Sequence, residues 1–444
     1  MSVASLLAAA LQAVVSVGTG GHPTIAAGLA AAGPWDTVRV AAGVYHEHPR
    51  LDRPVVLVGE PGAVIDGDGR GIVIYVRAPA VIRGLTIRNS GGDQSREHAG
   101  LLAERAAGLV VEHNRFENVL FGIYLKQSDS AVVRHNEIEG KDLEVSLRGD
   151  GIRLWYSHEG VIEDNVVRRS RDVVIWFCNG TAVRRNHVFD SRYGLHYMYS
   201  DRNRFEDNEF VRNHVGAFIM YSNDITFRGN LFADARGTTG RGLGFKDADR
   251  ITAVGNVMVK NAVGISIDNS PHSVGVTNEF RDNVVAYNDV GVALLPSVHD
   301  NVFRGNALVS NVRPVSVSGG GTALANRWVG NYWSEYAGFD RDGDGFGDTP
   351  FRFDRLSDDI LAAHDGLQVL ELGLAVAALN TLSRVLPLLQ PEAVVVDSAP
   401  RVTAPPIPTG RTADGKPAAA IFLAAALAAS AVAYRRRRAF GGRR

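Results

Sequence analysis

Residues 183–204 read VRRNHVFDSRYGLHYMYSDRNR, and the next 22 residues, 205–226, read FEDNEFVRNHVGAFIMYSNDIT. Each block has an asparagine at its fourth position, Asn186 and Asn208. Met198 and Met220 stand in the same Met-Tyr-Ser phrase of the two blocks, although the chain of 444 residues has only four methionines. The shared register indicates a structural repeat with a period of 22 residues.

The asparagine recurs through the middle of the chain, usually with an apolar residue two positions later, at Asn114, Asn136, Asn165, Asn186, Asn208, Asn230, Asn256, Asn283, Asn306 and Asn331. Such a period is too short for a two-helix repeat and suits a coil of short strands joined by turns. Because stacked coils place like residues above one another, one asparagine in each turn can form a hydrogen-bonded ladder. The sequence therefore predicts an all-β fold, a right-handed parallel β-helix similar to pectate lyase, with about ten coils within residues 21–360.

The open N-terminal end of such a coil needs a cover, because it would expose unpaired strand edges and an apolar interior. The stretch PTIAAGLAAA, which begins at Pro23, predicts a short helix in this position.

Counting back from each ladder asparagine predicts which way the preceding strand residues point. The residues 13 and 11 positions before it are mostly aliphatic and are expected to face inward, so the residues 12 and 10 positions before it face outward. Four of the outward residues form a column, Trp155, Trp176, Met198 and Met220. Two further outward residues, His196 and Phe218, lie beside this column.

This outward stripe has three interpretations. It is a docking face, because exposed apolar stripes mark contact surfaces and Met and Trp are favoured there. It is a transient copper site, because thioether and imidazole ligands select Cu(I). Alternatively, a loop or the C-terminal segment covers it. Cys178 aligns with Ser157, Ser200 and Ser222, which predicts a small residue in a turn stack, with copper ligation as the alternative.

Several motifs resemble those of the NosD family: the Met-Tyr-Ser pair, GLGFKDAD (242–249), GISIDNSP (264–271) and GNYWSEYAGFDRDGDGFGDTPF (330–351). The resemblance spans roughly residues 20–390. It implies an extracytoplasmic β-helix that is not an enzyme and that assists the maturation of the copper sites of nitrous oxide reductase. The partners it implies are the ATPase and membrane subunits of an ABC transporter, the copper chaperone lipoprotein NosL, and the reductase. The chain has no G-x-x-x-x-G-K-[ST] loop, so ATP hydrolysis is expected from a partner.

A calcium-loop pattern lies inside FDRDGDGFGDTPF. The acidic residues stand at its first, third, fifth and ninth positions, with a glycine at the sixth: Asp340, Asp342, Asp344, Asp348 and Gly345. The twelfth position is Phe351 rather than glutamate, so the alternative is an Asp-Gly turn cluster that closes the last coil.

The sequences at the two ends of the chain predict export and attachment to a membrane. Residues 1–20 have an apolar stretch typical of an export signal but no basic residue before it. Residues 361–390 follow helical spacing and are expected either to cap the coil or to dock on the transporter. A Pro-rich linker (391–417), a transmembrane helix (418–434) and a basic cytoplasmic tail (435–444) are expected to follow.

Charge and composition narrow the function further. The formal net charge is −1, and the last ten residues carry six arginines without an acid, so the main body is net negative and a poor partner for nucleic acid.

The main rival function is a polysaccharide-active enzyme or a carbohydrate-binding surface protein. In that case the rings of Trp155 and Trp176 would stack on sugar rings. Asp150, Asp201 and Asp247, which are expected near the same sheet, would be the candidate acid and base groups.

Overall fold

The computed structural model describes residues 13–354 and 392–405, together with the isolated positions 373 and 378. The chain winds into a parallel β-helix in which successive coils add one strand to each of three long sheets. Every strand pair in these three sheets is parallel and joins residues of neighbouring coils. The predicted all-β parallel solenoid is therefore confirmed.

The first sheet has 14 strands, in spatial order Val14–Val17, Thr37–Val40, Val55–Gly59, Ala80–Arg83, Val110–Glu112, Val132–Arg134, Val161–Glu163, Ala182–Arg184, Arg204–Glu206, Thr226–Arg228, Thr252–Val254, Asn278–Arg281, Asn301–Arg304 and Arg327–Val329. The second sheet has 12 strands, Arg50–Leu51, Ile74–Val76, Ala99–Glu104, Phe121–Lys126, Ile152–Trp155, Asp172–Trp176, Tyr193–Met198, Val215–Met220, Arg241–Lys246, Val263–Asp268, Val290–Leu294 and Arg313–Val317.

The third sheet has 13 strands, Gly43–Tyr45, Ala63–Asp66, Thr86–Arg88, Arg115–Val119, Glu137–Gly140, Val166–Arg168, His187–Phe189, Glu209–Val211, Leu231–Ala233, Val257–Val259, Val284–Ala286, Ala307–Val309 and Tyr332–Trp333. The remaining described elements are the α-helix Ile25–Ala31, a 3-10 turn Val145–Leu147, and an antiparallel pair of strands, Phe351–Phe353 and Val395–Asp397.

The solenoid has about fourteen coils, whereas the sequence predicted about ten. The additional coils precede Asn114 and lack the ladder asparagine. In the coil before Asn114 the equivalent place is held by Leu85, whose backbone N–H donates to Asn114 Oδ1 at 3.1 Å. An apolar residue at this position removes the signal on which the count was based.

The predicted asparagine ladder runs through the buried turns from Asn114 to Asn331. Asn208 shows the pattern: its side-chain Nδ2 donates to Asn230 Oδ1 (3.0 Å) and to the Val183 carbonyl (2.9 Å) of the previous coil. Its Oδ1 accepts from the backbone N–H and the Nδ2 of Asn186, both at 3.0 Å. Each carboxamide thus forms hydrogen bonds with backbone N–H and C=O groups of the turns that have no partner in a neighbouring strand.

The N-terminal end of the solenoid is closed as predicted. Helix Ile25–Ala31 begins at Thr24, whose side chain accepts a hydrogen bond from the Ala27 N–H at its first turn. The helix packs so closely on the first coil that a Cβ at Gly28 would lie 2.4 Å from Val17. Strand Val14–Val17 belongs to that coil, so the folded domain starts inside the segment 1–20 that resembled an export signal. Residues 1–12 lie outside the described part.

The C-terminal end corrects the predicted linker boundary at residue 391. Strand Val395–Asp397 is part of the folded domain, because it pairs with Phe351–Phe353 and brings Asp397 under the last ladder residue. The buried Asp397 carboxylate accepts from the backbone N–H of Asn331 (2.9 Å), from Asn331 Nδ2 (2.8 Å) and from Trp333 Nε1 (3.1 Å). Asp397 therefore supplies the acceptor that the next asparagine would have provided.

The predicted membrane elements fall largely outside the described residues. Within 361–390 only Gly373 and Ala378 are described, and Ala378 is helical. No helix in the described part of the chain is both long and apolar enough to cross a membrane. The predicted span 418–434 and the basic tail 435–444 are not among the described residues.

Replacing Asn208 with alanine is expected to destabilise the solenoid by about 3 kcal/mol, because two backbone groups and two neighbouring carboxamides lose buried partners. The measurement is urea unfolding followed by far-UV circular dichroism. The control is Arg204→Ala, an exposed strand residue in the same coil, for which a change within about 0.5 kcal/mol is expected. Equal midpoints for the two variants would show that the ladder does not stabilise the fold.

Asp397→Ala is expected to release the C-terminal strand, because the buried ladder end loses its carboxylate acceptor. Trypsin should then cleave after the half-buried Arg401 at least about tenfold faster, because the C-terminal strand detaches more easily. Mass spectrometry of timed digests measures the rate. Glu392→Ala, an exposed change in the same segment, serves as the control. An unchanged rate in the Asp397 variant contradicts the locking role.

Candidate functional site

The Met-Tyr-Ser phrase of two coils is the second half of a series of related triplets that occupy the same place in four successive coils. Trp155, Trp176, Met198 and Met220 are register partners at the ends of neighbouring strands of the second sheet. The triplets that begin at these residues are WYS, WFC, MYS and MYS. The predicted outward column is thus present, and each triplet places its three side chains in three different surroundings.

The third residues of the triplets form a buried ladder inside the turns. The Ser157 backbone N–H donates to Cys178 Sγ at 3.2 Å, and the Cys178 N–H donates to Ser200 Oγ at 2.9 Å. Burial raises the pKa of Cys178 to about 12, so no thiolate forms near neutral pH. Cys178 therefore has the predicted turn-stack position, and its burial within the turns opposes a role as copper ligand.

The second residues of the triplets form a stack of rings at the surface, the half-buried Phe177 and the exposed Tyr156, Tyr199 and Tyr221. Their centroids are 4.6, 5.1 and 5.0 Å apart, and the rings are nearly parallel. Each residue has a positive φ between 47° and 56°, which turns the chain and directs the ring to the surface. Tyr199 is 47% exposed. Strand alternation does not predict the direction of turn residues, but the recurrence of an aromatic ring at this spacing was a usable signal.

The column and the ring stack together form one surface, which we call the aromatic–thioether surface. It consists of Trp155, Trp176, Met198, Met220, Tyr156, Phe177, Tyr199 and Tyr221. Trp155 connects the two rows, because its ring meets those of Tyr156 and Phe177 edge to face at 5.5 and 5.2 Å. Four coils stacked at about 4.8 Å give the surface a length of about 14 Å along the solenoid axis.

Charged residues border this surface at both ends of the column. In the preceding coil Lys126 pairs with Glu97, and in the following coil Lys246 pairs with Asp268 at 3.4 Å. The column residues between these pairs are half-buried. An apolar centre with a polar rim is the composition of a protein-binding surface.

His196 lies beside the column on the same strand as Met198, and a buried carboxylate orients it. His196 Nδ1 is 3.1 Å from Asp172 Oδ2, and Tyr193 stacks on the imidazole at 4.9 Å. Burial acts to raise the pKa of Asp172, but hydrogen bonds from His196 and Arg192 outweigh it and hold this pKa below its usual range. An ionised Asp172 accepts a hydrogen bond from Nδ1, which orients the ring and leaves Nε2 as the nitrogen available for another partner.

The predicted companion Phe218 is also on the outer face. Its ring lies over the next coil, where a Cβ added to Gly244 would meet Phe218 Cδ2 at 2.3 Å. The structure thus brings together on one sheet wall all six residues of the predicted stripe: Trp155, Trp176, Met198, Met220, His196 and Phe218. Sequence reasoning missed Asp172, which lies 24 residues before His196 and becomes its neighbour only through the coil register.

A second buried carboxylate lies close to the same wall. Asp150 is fully buried between Arg153 and Arg171, at 3.3 and 3.2 Å. Burial raises the pKa of Asp150 to about 6, although the Arg171 charge opposes this shift. The Arg153 guanidinium also lies over the Trp155 and Trp176 rings, at 5.6 and 5.3 Å. Asp150 is enclosed by these groups rather than presented to a bound sugar.

The predicted calcium loop is only partly assembled. Oxygen atoms of Asp340, Asp342 and Asp344 all lie within 4.8 Å of one another. Asp348 instead accepts a hydrogen bond from the Arg341 N–H at 2.9 Å. Calcium binding by this loop stays a prediction.

A further group of potential metal ligands, His46, Asp66 and Asp68, was not predicted. The buried Asp66 carboxylate already accepts from Arg88 Nε (2.7 Å) and from Asn89 Nδ2 (2.9 Å). These partners give the group a structural role in the third sheet.

Comparisons with known proteins agree with the motifs. Residues 135–338 match the family model described as "Periplasmic copper-binding protein (NosD)". The chain is 29% identical over 331 residues to the "Probable ABC transporter binding protein NosD" of Pseudomonas aeruginosa, which covers 70% of this chain and 76% of that protein. A protein of the same name from Stutzerimonas stutzeri is 29% identical over 407 residues, covering 83% and 87%.

Among solved structures, the A-module of the mannuronan C-5 epimerase AlgE6 from Azotobacter vinelandii superposes with a TM-score of 0.50. It is 17% identical in sequence, and the match covers 66% of this chain and 90% of the module, so it supports the fold alone. The sequence matches and the stacked coils that carry the Met-Tyr-Ser pair agree: residues 135–338 are similar to the NosD family, and the likeness to the two NosD proteins extends over most of the chain.

Proposed function

We propose that this protein is an extracytoplasmic accessory component of an ABC transporter and assists the maturation of the copper sites of nitrous oxide reductase. In this proposal the aromatic–thioether surface docks the copper chaperone NosL and the reductase. The ATPase subunit of the transporter supplies energy, and its membrane subunit supplies the passage across the membrane. This chain itself is not an enzyme.

The observation that carries the proposal is the continuity of the aromatic–thioether surface over four coils. Rigid rings such as Tyr156 and Tyr199 offer a large contact area at low entropic cost, while the flexible side chains of Met198 and Met220 adapt to a partner. The charged pairs at both ends fit the polar rim of an interface. A docking function uses all of these features together.

Copper fits the same surface as a transient cargo. Thioethers and a neutral imidazole are soft and borderline ligands that favour Cu(I) over the harder divalent ions. Met198 and His196 face the same way from one strand, and Met220 is the partner of Met198 in the next coil. Three neutral donors on an open wall form an incomplete ligand set, which suits transfer between proteins better than storage.

The names of the relatives support the transporter part of the proposal. Two proteins that are 29% identical to this chain are each called a probable ABC transporter binding protein. The word "periplasmic" in the family description supports an extracytoplasmic location, where a copper chaperone and the reductase would be met. The absence of a phosphate-binding loop from the sequence agrees with ATP hydrolysis by a separate subunit.

Two paired substitutions separate docking from copper transfer. Met198→Leu with Met220→Leu keeps the apolar volume but removes both sulfurs, so docking should persist while copper loading of the reductase falls. Met198→Ser with Met220→Ser removes both properties, so docking and loading should both fail. Reductase copper is measured by elemental analysis in a strain complemented with each variant, and docking by co-purification of NosL.

The control for this experiment is Thr226→Ala with Thr252→Ala, two half-buried positions on the wall formed by the first sheet. It should leave copper loading unchanged. Full copper loading with the serine pair would overturn the role of the surface, and full loading with the leucine pair would restrict it to docking.

Asp172→Asn is expected to weaken Cu(I) binding by roughly 10- to 100-fold, because the imidazole of His196 loses the carboxylate that sets its tautomer and basicity. Competition with a chromophoric Cu(I) chelator measures the affinity of the purified protein. Glu209→Gln is a matched control, since that carboxylate holds His187 at 3.0 Å on a different wall. Identical affinities for the two variants would contradict a ligand role of His196.

A further inference from the structure

A groove of about 500 Å³ lies on the outer side of the second sheet, in the coils that follow the aromatic–thioether surface. Its volume is within the range of about 300–1,000 Å³ that is usual for ligand-binding clefts. Arg241 and Arg313 stand along one side of the groove, and Leu295, which is 36% exposed, lies on the other. We call it the arginine-lined groove.

The groove exists because one outward column of the sheet changes from large to small side chains. In the earlier coils this column consists of Tyr124, Arg153, Val174, His196 and Phe218. In the last four coils of the sheet it consists of Gly244, Ser266, Ala293 and Ser316. The backbone spacing between coils does not change at this point, so the smaller side chains leave a trough in the wall.

The groove carries a net positive charge, although the main body of the chain is net negative. Its charged lining residues are Arg241, Arg313 and Asp268. The carboxylate of Asp268 is offset by Lys246, whose Nζ lies 3.4 Å from it. Arg241 Nε donates to the uncharged hydroxyl of Ser266 at 3.2 Å, so this bond leaves the guanidinium charge uncompensated. An anionic ligand is therefore favoured.

We propose that the arginine-lined groove binds an extended acidic segment of a partner protein. Arg241, Val263, Val290 and Arg313 are successive register partners, so the two arginines are three coil steps apart, about 14 Å. An extended peptide that lies along the solenoid axis covers about the same distance in four residues, and residues four apart point to the same side. Two carboxylates at this spacing can each meet one guanidinium in a bidentate pair.

The residue midway between the two carboxylates is expected to be apolar. It points to the same side of the extended segment and lies opposite Val263 and Val290, which are half-buried between the two arginines. The groove thus selects a segment of the form acid–any–apolar–any–acid.

The composition of the groove favours a peptide over an acidic polysaccharide. A chain of uronic acids would bring hydroxyl groups against Val263, Val290 and Ala293, which offer no hydrogen-bond partner from their side chains. Burying a hydroxyl without a partner is costly, whereas an apolar side chain gains from the same contact.

The groove is continuous with the aromatic–thioether surface. Phe218 lines the groove and lies one coil before Gly244, on the same strand as Met220. A partner docked on the aromatic–thioether surface can therefore place an acidic segment in the groove. Only this connection between the two surfaces rests on the proposed function, because the groove itself is argued from other residues.

Peptide binding to the purified full-length protein tests the inference, with fluorescence anisotropy as the measurement. The probe is the labelled peptide Gly-Asp-Ser-Leu-Ser-Asp-Gly. Its affinity is expected to fall at least about tenfold when both Asp are replaced by Asn, because both charge-assisted pairs are lost. A peptide with its two Asp adjacent should also bind at least about tenfold more weakly, since it reaches one arginine only. Equal affinities for the three peptides would overturn the proposal.

Substitutions in the protein locate the binding site. Arg241→Gln with Arg313→Gln is expected to weaken probe binding at least about tenfold. Ala293→Phe should do the same with both arginines in place, because it fills the floor of the groove. The matched control is Arg204→Gln with Arg228→Gln, two exposed arginines of the first sheet. It removes the same charge at a distance, where salt screens it, so affinity should stay within about twofold.

Far-UV circular dichroism verifies that each variant keeps the fold. Wild-type affinity in both groove variants would overturn the proposed site. Displacement of the probe by a lower concentration of oligogalacturonate than of unlabelled peptide would also overturn it, because the ligand would then be an acidic glycan. The assay contains no copper, chaperone or reductase, so its failure is distinguishable from failure of the proposed function.

Discussion

The structure depends on the hydrogen bonds that each ladder asparagine makes between coils. A turn between two short strands leaves backbone N–H and carbonyl groups that no strand partner reaches, and burying them unpaired costs several times what a typical hydrogen bond contributes. The carboxamide of Asn208 donates to the coils on both sides and accepts from the preceding coil, so the turn can be buried at the corner of the core. Where the repeat stops, Asp397 replaces the missing asparagine and closes the ladder with acceptors alone.

The ladder also fixes the register that creates the candidate site. Met198 and Met220 are far from Trp155 in the sequence, yet the fixed offset between coils places them in one column at spacings of about 4.8 Å. Sliding one coil by a single residue would turn its outward side chains inward. The aromatic–thioether surface is thus a direct consequence of the same interaction that stabilises the turns.

This dependence explains what could be predicted from sequence. The repeat, the inward and outward positions and the column through Met198 followed from periodicity alone. The direction of the Tyr199 ring did not, because it depends on a positive φ in the turn, which strand alternation does not describe. Asp172 was missed because its contact with His196 joins different coils, and Asp397 because it is separated by 66 residues from the asparagine that it binds.

A stiff solenoid suits the transfer of a weakly held cargo. Its walls are single sheets with consecutive hydrogen bonds along the whole axis, so a row of side chains keeps its spacing when a partner binds, and little ordering cost arises at that moment. In the proposed role, thioether donors such as Met220 would hold Cu(I) without demanding a fixed geometry, and the imidazole of His196 is already oriented by Asp172. A donor protein and an acceptor protein that bind the same rigid surface would each meet the same arrangement of ligands. Under this proposal, the direction of copper movement would follow the affinity of the partner rather than a rearrangement of the solenoid.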